Sequence, residues 1–201
     1  MESSDRTTGE VAGAITHLLI DAQAGQSSAW NQIYTLLYRE LHGLARSQLW
    51  RTSAQTLSPT ALINETWIKL SKANINAENR RQLIGLVIST MRSIILDEAK
   101  RKLADKRGGG AQVLSLSDGW DSGEENRLEH LLELDTALRE LQQASPRLAQ
   151  VVEWRYFGGL AEDEIANLLG IHVRTVRRDW NTARLFLLER LGDEPEQVVH
   201  G

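Results

Sequence analysis

Arg174, Thr175, Arg177, Arg178, Asn181 and Arg184 recur at three- and four-residue spacing, so a helix would gather them on one side. A guanidinium offers two parallel donors to a guanine edge or a phosphate, and an asparagine amide pairs with an adenine edge in the same way. Val173, Val176, Trp180, Ala183 and Leu187 mark the face that such a helix would bury. A second group of reactive side chains consists of hydroxyls. Thr56, Ser58 and Thr60 stand ahead of an apolar stripe at Leu62, Ile63, Thr66 and Trp67. Ser58 suits a helix cap and Pro59 a first helical position. The turn that follows carries no acid, although a helix N-terminus attracts one. A phosphoryl group on one of these hydroxyls would bring about −1.5 to −2 of charge to free N–H groups. The chain offers no nucleophile–base pair, no metal-ligand cluster and no Walker-type phosphate loop. No catalysis and no cofactor are therefore expected.

Positioning these groups is work for helices. Apolar positions recur at helical spacing almost throughout, there are only three prolines, and strand-like alternation is rare. The pattern predicts helices near 11–24 and 28–50, one opening at Ser58, and a long one from about Arg80 to Lys106. Four more are expected near 127–143, 146–157, 161–169 and 173–191. KANINAEN (72–79) reads as a loop. The glycine-rich stretch 107–126 reads as a flexible linker, because adjacent glycines lose too much backbone freedom in a helix. The expectation is an all-α chain of two four-helix domains, 11–106 and 127–191. Within the second, Ile165, Leu168 and Leu169 should point inward, with Ala166 small where helices cross. Gly170 would supply the turn and Ile171 would fill the gap, which is the pattern of a helix-turn-helix. His172 stands where a better cap residue is expected.

Bulk composition sets limits. The 201 residues carry a formal charge of −4 and no cysteine, which removes disulfides and thiolate chemistry and suits a cytoplasmic protein. No signal peptide or membrane-spanning run is apparent, so no membrane insertion is expected. The basic charge is local: 100–107 holds five basic residues and one acid, and 172–191 five arginines and two acids.

The segment RYFGGL…EIA..LG…RTV.RDW..AR..L, within 145–191, resembles the promoter-binding C-terminal domain of the extracytoplasmic-function (ECF) sigma factors of bacterial RNA polymerase. LSPTALINETWIKL and ISTMRSIILDEAKRK are similar to that family's N-terminal domain. The resemblance implies a protein that binds core RNA polymerase and promoter DNA and is not itself an enzyme. It assigns −35 contact to Arg174, Thr175, Arg177, Arg178, Asn181 and Arg184. It assigns −10 contact to Asn74, Asn76, Asn79, Arg80, Arg92, Ser93, Lys100 and Arg101, although Ser93 replaces an asparagine common in the family. Polymerase contact falls to Leu62, Asn64 and Glu65. The family's clamp-binding helix usually opens with an acidic Asp-Ala-Glu-Asp motif; this chain has Ser58, Pro59, Thr60 and Ala61 there. The replacement suggests a Ser/Thr protein kinase as a partner, restoring charge at Thr60, Ser58 or Thr56. An anti-sigma factor is a further candidate partner. A helix-turn-helix regulator, self-sufficient or kinase-controlled, is the alternative reading of the same residues.

Overall fold

The computed structural model describes residues 2–52, 57–73, 75, 77–108 and 118–192. Among these, the regular elements are eight α-helices and one π-helical turn, with no strand. The N-terminal half contains α1 (Glu2–Gln23), α2 (Ser27–Thr52), α3 (Pro59–Lys72) and α4 (Arg80–Gly108). The C-terminal half contains α5 (Asp118–Ala144), α6 (Pro146–Val152), the π turn (Glu153–Phe157), α7 (Glu162–Leu169) and α8 (Val173–Leu191). The all-α expectation holds.

Local chemistry sets several of the boundaries. Ser58 caps α3: its Oγ accepts the Ala61 N–H at 3.1 Å, and Pro59 follows at the first position. Asn79 opens α4, its side-chain carbonyl accepting the Gln82 N–H at 3.0 Å. Gly170 closes α7 in the left-handed region (φ 66°), and the Ile171 N–H returns to the Ala166 carbonyl at 3.1 Å. Three boundaries differ from the pattern, the first being that α1 begins at Glu2 and not near residue 11. Residues 118–126, expected as linker, form the start of α5. Apolar periodicity is weak over that stretch, so the pattern does not mark it as a helix. The helix expected over 146–157 changes to π geometry at Glu153, where the Gly158 N–H reaches the Glu153 carbonyl at 3.0 Å.

The halves do not stand apart. Buried apolar residues from both form one continuous core, including Leu83, Ile84, Val87 and Ile88 of α4 and Leu131, Leu138, Trp154 and Phe157 from the C-terminal half. The π turn packs against both α2 and α4, and α5 packs against α4. In the C-terminal half, α8 rests on α5, α6 and α7. Its buried Asp179 accepts from Arg147 of α6 at 2.7 and 3.2 Å, fixing the rotation of α8 about its axis.

That pair is asymmetric, since Arg147 is half exposed and Asp179 almost wholly buried. Arg147→Met leaves the buried carboxylate only the longer contact to Arg178 at 3.7 Å and should cost about 2–3 kcal/mol, whereas Asp179→Asn leaves a solvated guanidinium and should cost about 1 kcal/mol. Urea unfolding of the two variants checks the order; equal losses would contradict the burial argument.

Candidate nucleic-acid interface

The turn between α7 and α8 sets the site. The left-handed Gly170 reverses the chain, Ile171 packs against the core, and α8 starts at once, with the Thr175 N–H on the His172 carbonyl at 2.8 Å. Ile165 and Ala166 are buried on α7, and Val176, Ala183 and Leu187 on α8. Leu168, Leu169, Val173 and Trp180 are half-buried against the same core. The opposite side of α8 presents Arg174, Arg177, Arg178, Asn181 and Arg184 exposed, with Thr175 half-buried beside them. His172 is exposed and its side chain makes no cap bond.

The arginines of this region are held in order. Glu162, at the start of α7, accepts from Arg155 at 2.6 Å and from Arg177 at 2.5 Å. The Arg155 guanidinium also lies over the Trp180 ring, 4.7 Å from its centroid. Hydrogen bonds from Arg177 and then Arg155 hold the Glu162 carboxyl below its ordinary value of 4.5. Glu164 accepts the Ala161 N–H at 2.7 Å and steadies the start of α7.

On α4 the expected −10 residues divide. Ser93, Lys100 and Arg101 are exposed, and Arg101 pairs with Glu98 one turn earlier. Arg80 reaches both carboxylate oxygens of Glu40 on α2 at 2.7 Å. Arg92 is 13 % exposed and is held by Asp135 of α5 and by Glu153 of the π turn, the latter at 3.1 Å. A cleft of about 200 Å³ brings Arg92, Ser93 and Lys100 together with Asp135 and Arg139. Asn79 uses its carbonyl to cap α4, while Asn74 and Asn76 lie outside the described residues.

On α3, Leu62 is fully buried in the core. Its expected polymerase contact is corrected accordingly: the helix turns this side chain inward, and Asn64 and Glu65 are what it presents. The Tyr34 hydroxyl donates to Asn64 Oδ1 at 3.0 Å. Ser58 and Thr60 are exposed at the acid-free first turn; Thr56 is outside the described residues.

Periodicity alone could not have found Arg81, Asp135, Glu153 or Asp179, whose partners are distant in the chain. Arg81 Nη2, for example, donates to the Asn167 carbonyl at the end of α7, 2.9 Å away.

An all-helical chain ending in a helix-turn-helix with an exposed arginine face belongs in class with the nucleic-acid-binding proteins. A family model described as "ECF sigma factor" matches residues 12–193. The chain belongs to the ECF sigma factors, DNA-binding transcription factors whose partners are core RNA polymerase and promoter DNA. A search of curated proteins gave no match. No helix among the described residues is long and apolar enough to cross a membrane.

The Glu162 carboxyl is depressed in the fold, so the stability it contributes is present above about pH 4.5 and is lost as pH falls through its lower folded value. Glu162→Gln should flatten that part of the curve of unfolding free energy against pH. An unchanged acid limb would show that the two arginines do not act on it.

Proposed function

We propose that this chain directs core RNA polymerase to promoters by reading the −35 duplex with α8 and the melted −10 strand with α4 and the loop before it. The observation that carries this reading is the geometry around Gly170, which leaves Arg174, Arg178, Asn181 and Arg184 exposed on one side of a helix whose other side is packed. Arginine and asparagine there can pair with base edges, while neighbouring cations meet phosphates. On α4, Ser93, Lys100 and Arg101 line the side of the helix that would follow a single strand, with Asn74, Asn76 and Asn79 in the loop that would receive a base. Arg80 and Arg92 would join them on exchanging protein carboxylates for phosphates.

The polymerase contact is assigned to the exposed start of α3, with Asn64 and Glu65 one turn further on. A Ser/Thr kinase would supply the charge that its first turn lacks. Phosphorylated Ser58 or Thr60 would set its oxygens at the positive end of the helix dipole, beside a first turn whose Ala61 N–H is already taken by Ser58 Oγ, so the modification would add an anionic contact where the helix favours an anion. Thr56 is a third acceptor on the sequence alone.

Two experiments test this. Co-elution of the full chain with bacterial core polymerase, alone and phosphorylated, tests the partnership; a chain that binds duplex promoter DNA tightly by itself and ignores polymerase is instead a self-sufficient regulator. Thr60→Glu or Ser58→Asp should strengthen polymerase binding about tenfold, or about 1.4 kcal/mol. Initiation by the unmodified chain equal to that of both variants would end the switch. Arg174→Ala and Arg178→Ala should each either lower the salt slope of promoter binding by about one or cost about 1–3 kcal/mol at one base position.

A further inference from the structure

Four side chains close a ring between the π turn, α7 and α8. Glu162, the first residue of α7, gives one carboxylate oxygen to each of two arginines. Its Oε1 accepts from Arg155 Nη1 at 2.6 Å and its Oε2 from Arg177 Nε at 2.5 Å. Arg155 is steadied in turn by the Trp180 ring, whose centroid lies 4.7 Å from the guanidinium carbon. Trp180 and Arg177 stand three residues apart on α8, so the contacts that leave the helix at Trp180 return to it at Arg177. The neighbouring cations lack such a brace. Arg174 and Arg184 make no ion pair with a described residue, and Arg178 makes only a loose one with Asp179 at 3.7 Å.

The brace uses one edge of the Arg177 guanidinium. A bond through Nε leaves the end edge, Nη1 and Nη2, for another acceptor. Those two nitrogens match the O6 and N7 of guanine, and they match a phosphate as well. The adjacent charge decides between the two. Hydrogen bonds from Arg177 and Arg155 keep the Glu162 carboxyl ionised, below its ordinary value of 4.5. A phosphate brought to Arg177 meets that like charge across the guanidinium, whereas a guanine edge is neutral and does not. Position agrees with this choice. Arg177 is the fifth residue of α8, in the N-terminal part of the helix that reaches base edges in a helix-turn-helix. Its side chain is 67 % exposed, so Glu162 rather than packing sets its direction.

We propose that Glu162 is a positioning residue for sequence readout: it aims Arg177 end-on, with Arg155 and Trp180 holding the carboxylate in place, so that Arg177 selects guanine in the duplex that α8 enters. An arginine on a flexible stem has to be ordered as it binds, and it pairs with whichever anion is nearest. A braced arginine has been ordered by the fold, and its brace repels phosphate. The carboxylate therefore adds discrimination more than affinity. This inference rests on the sigma-factor reading above, in which α8 reads the −35 duplex.

Selection from a duplex library randomised over the −35 region, by the full chain bound to core RNA polymerase, resolves preference base pair by base pair. In the unaltered protein one position prefers guanine, and Arg177→Ala lowers that preference about five- to 150-fold. Glu162→Gln lowers it about two- to tenfold at the same position and leaves the other positions unchanged. In the Arg177→Ala background it has no further effect on preference. Glu162→Gln also frees Arg177 for phosphate, so the salt slope of binding to a mixed-sequence duplex steepens by about one. A role confined to folding gives instead an equal loss at every position, and that result overturns the proposal. So does a guanine preference that survives Glu162→Gln unchanged, or one that Arg177→Ala does not touch. Should Glu162→Gln fail to fold, Arg155→Gln decides by the same criterion, since it loosens the carboxylate without removing it. An unaltered complex that enriches no sequence at all sinks the −35 reading and this proposal with it, whereas enrichment indifferent to Glu162 sinks the proposal alone.

Discussion

A guanidinium that is nearly excluded from water has to be met by anions, and Arg92 is met by two carboxylates from the other half of the chain. That requirement organises the junction. Asp135 has to approach on α5, which aligns α5 along α4, and it also accepts from Arg139 one turn on, at 2.9 Å. Glu153 has to approach from the start of the π turn, which carries Trp154 onto Gly85 and Phe157 beneath Arg92, 5.1 Å from the guanidinium carbon. Removing one anion would leave a buried charge only half compensated, so these contacts stand or fall together.

The same economy of charge runs through the molecule. The chain is acidic overall, yet the cations proposed to meet DNA are often matched by a carboxylate of its own: Arg80 by Glu40 and Arg177 by Glu162. Binding a phosphate at such a position exchanges one anion for another and yields less free energy than meeting a bare cation. Contact at one point is then weak, and useful affinity needs several exchanges at once. For a protein proposed to act only in company with polymerase, weak binding of stray DNA by the free chain is an expected consequence.

How much of this could be read in the sequence depended on range. The helix-turn-helix was legible because its determinants are local: period 3.6 on both sides of Gly170, with basic residues segregated to one face. The cap at Ser58 and Pro59 was legible for the same reason. The pairing of Arg92 with Asp135 and Glu153 spans 43 and 61 residues and has no periodic signature. Gly85 has no local explanation either, because the Trp154 indole packed on it comes from far along the chain. The start of α5 was missed because apolar spacing is weak over 118–126. Leu62 illustrates a different failure: a family motif assigned it a contact, but motif position does not say which way a helical side chain faces.

Charge at Ser58 or Thr60, as proposed for them, would change the affinity of one surface without any movement of the C-terminal half. The coupling available between that surface and the rest of the chain is small: α3 packs on α4, and Lys69 pairs with Asp97 at 3.5 Å between them. That bridge is exposed on both sides and so transmits little. A partner bound at α3 would therefore change the packing of the C-terminal half only by touching that half as well, since a partner shifts a conformational equilibrium only by its difference in affinity for the two states.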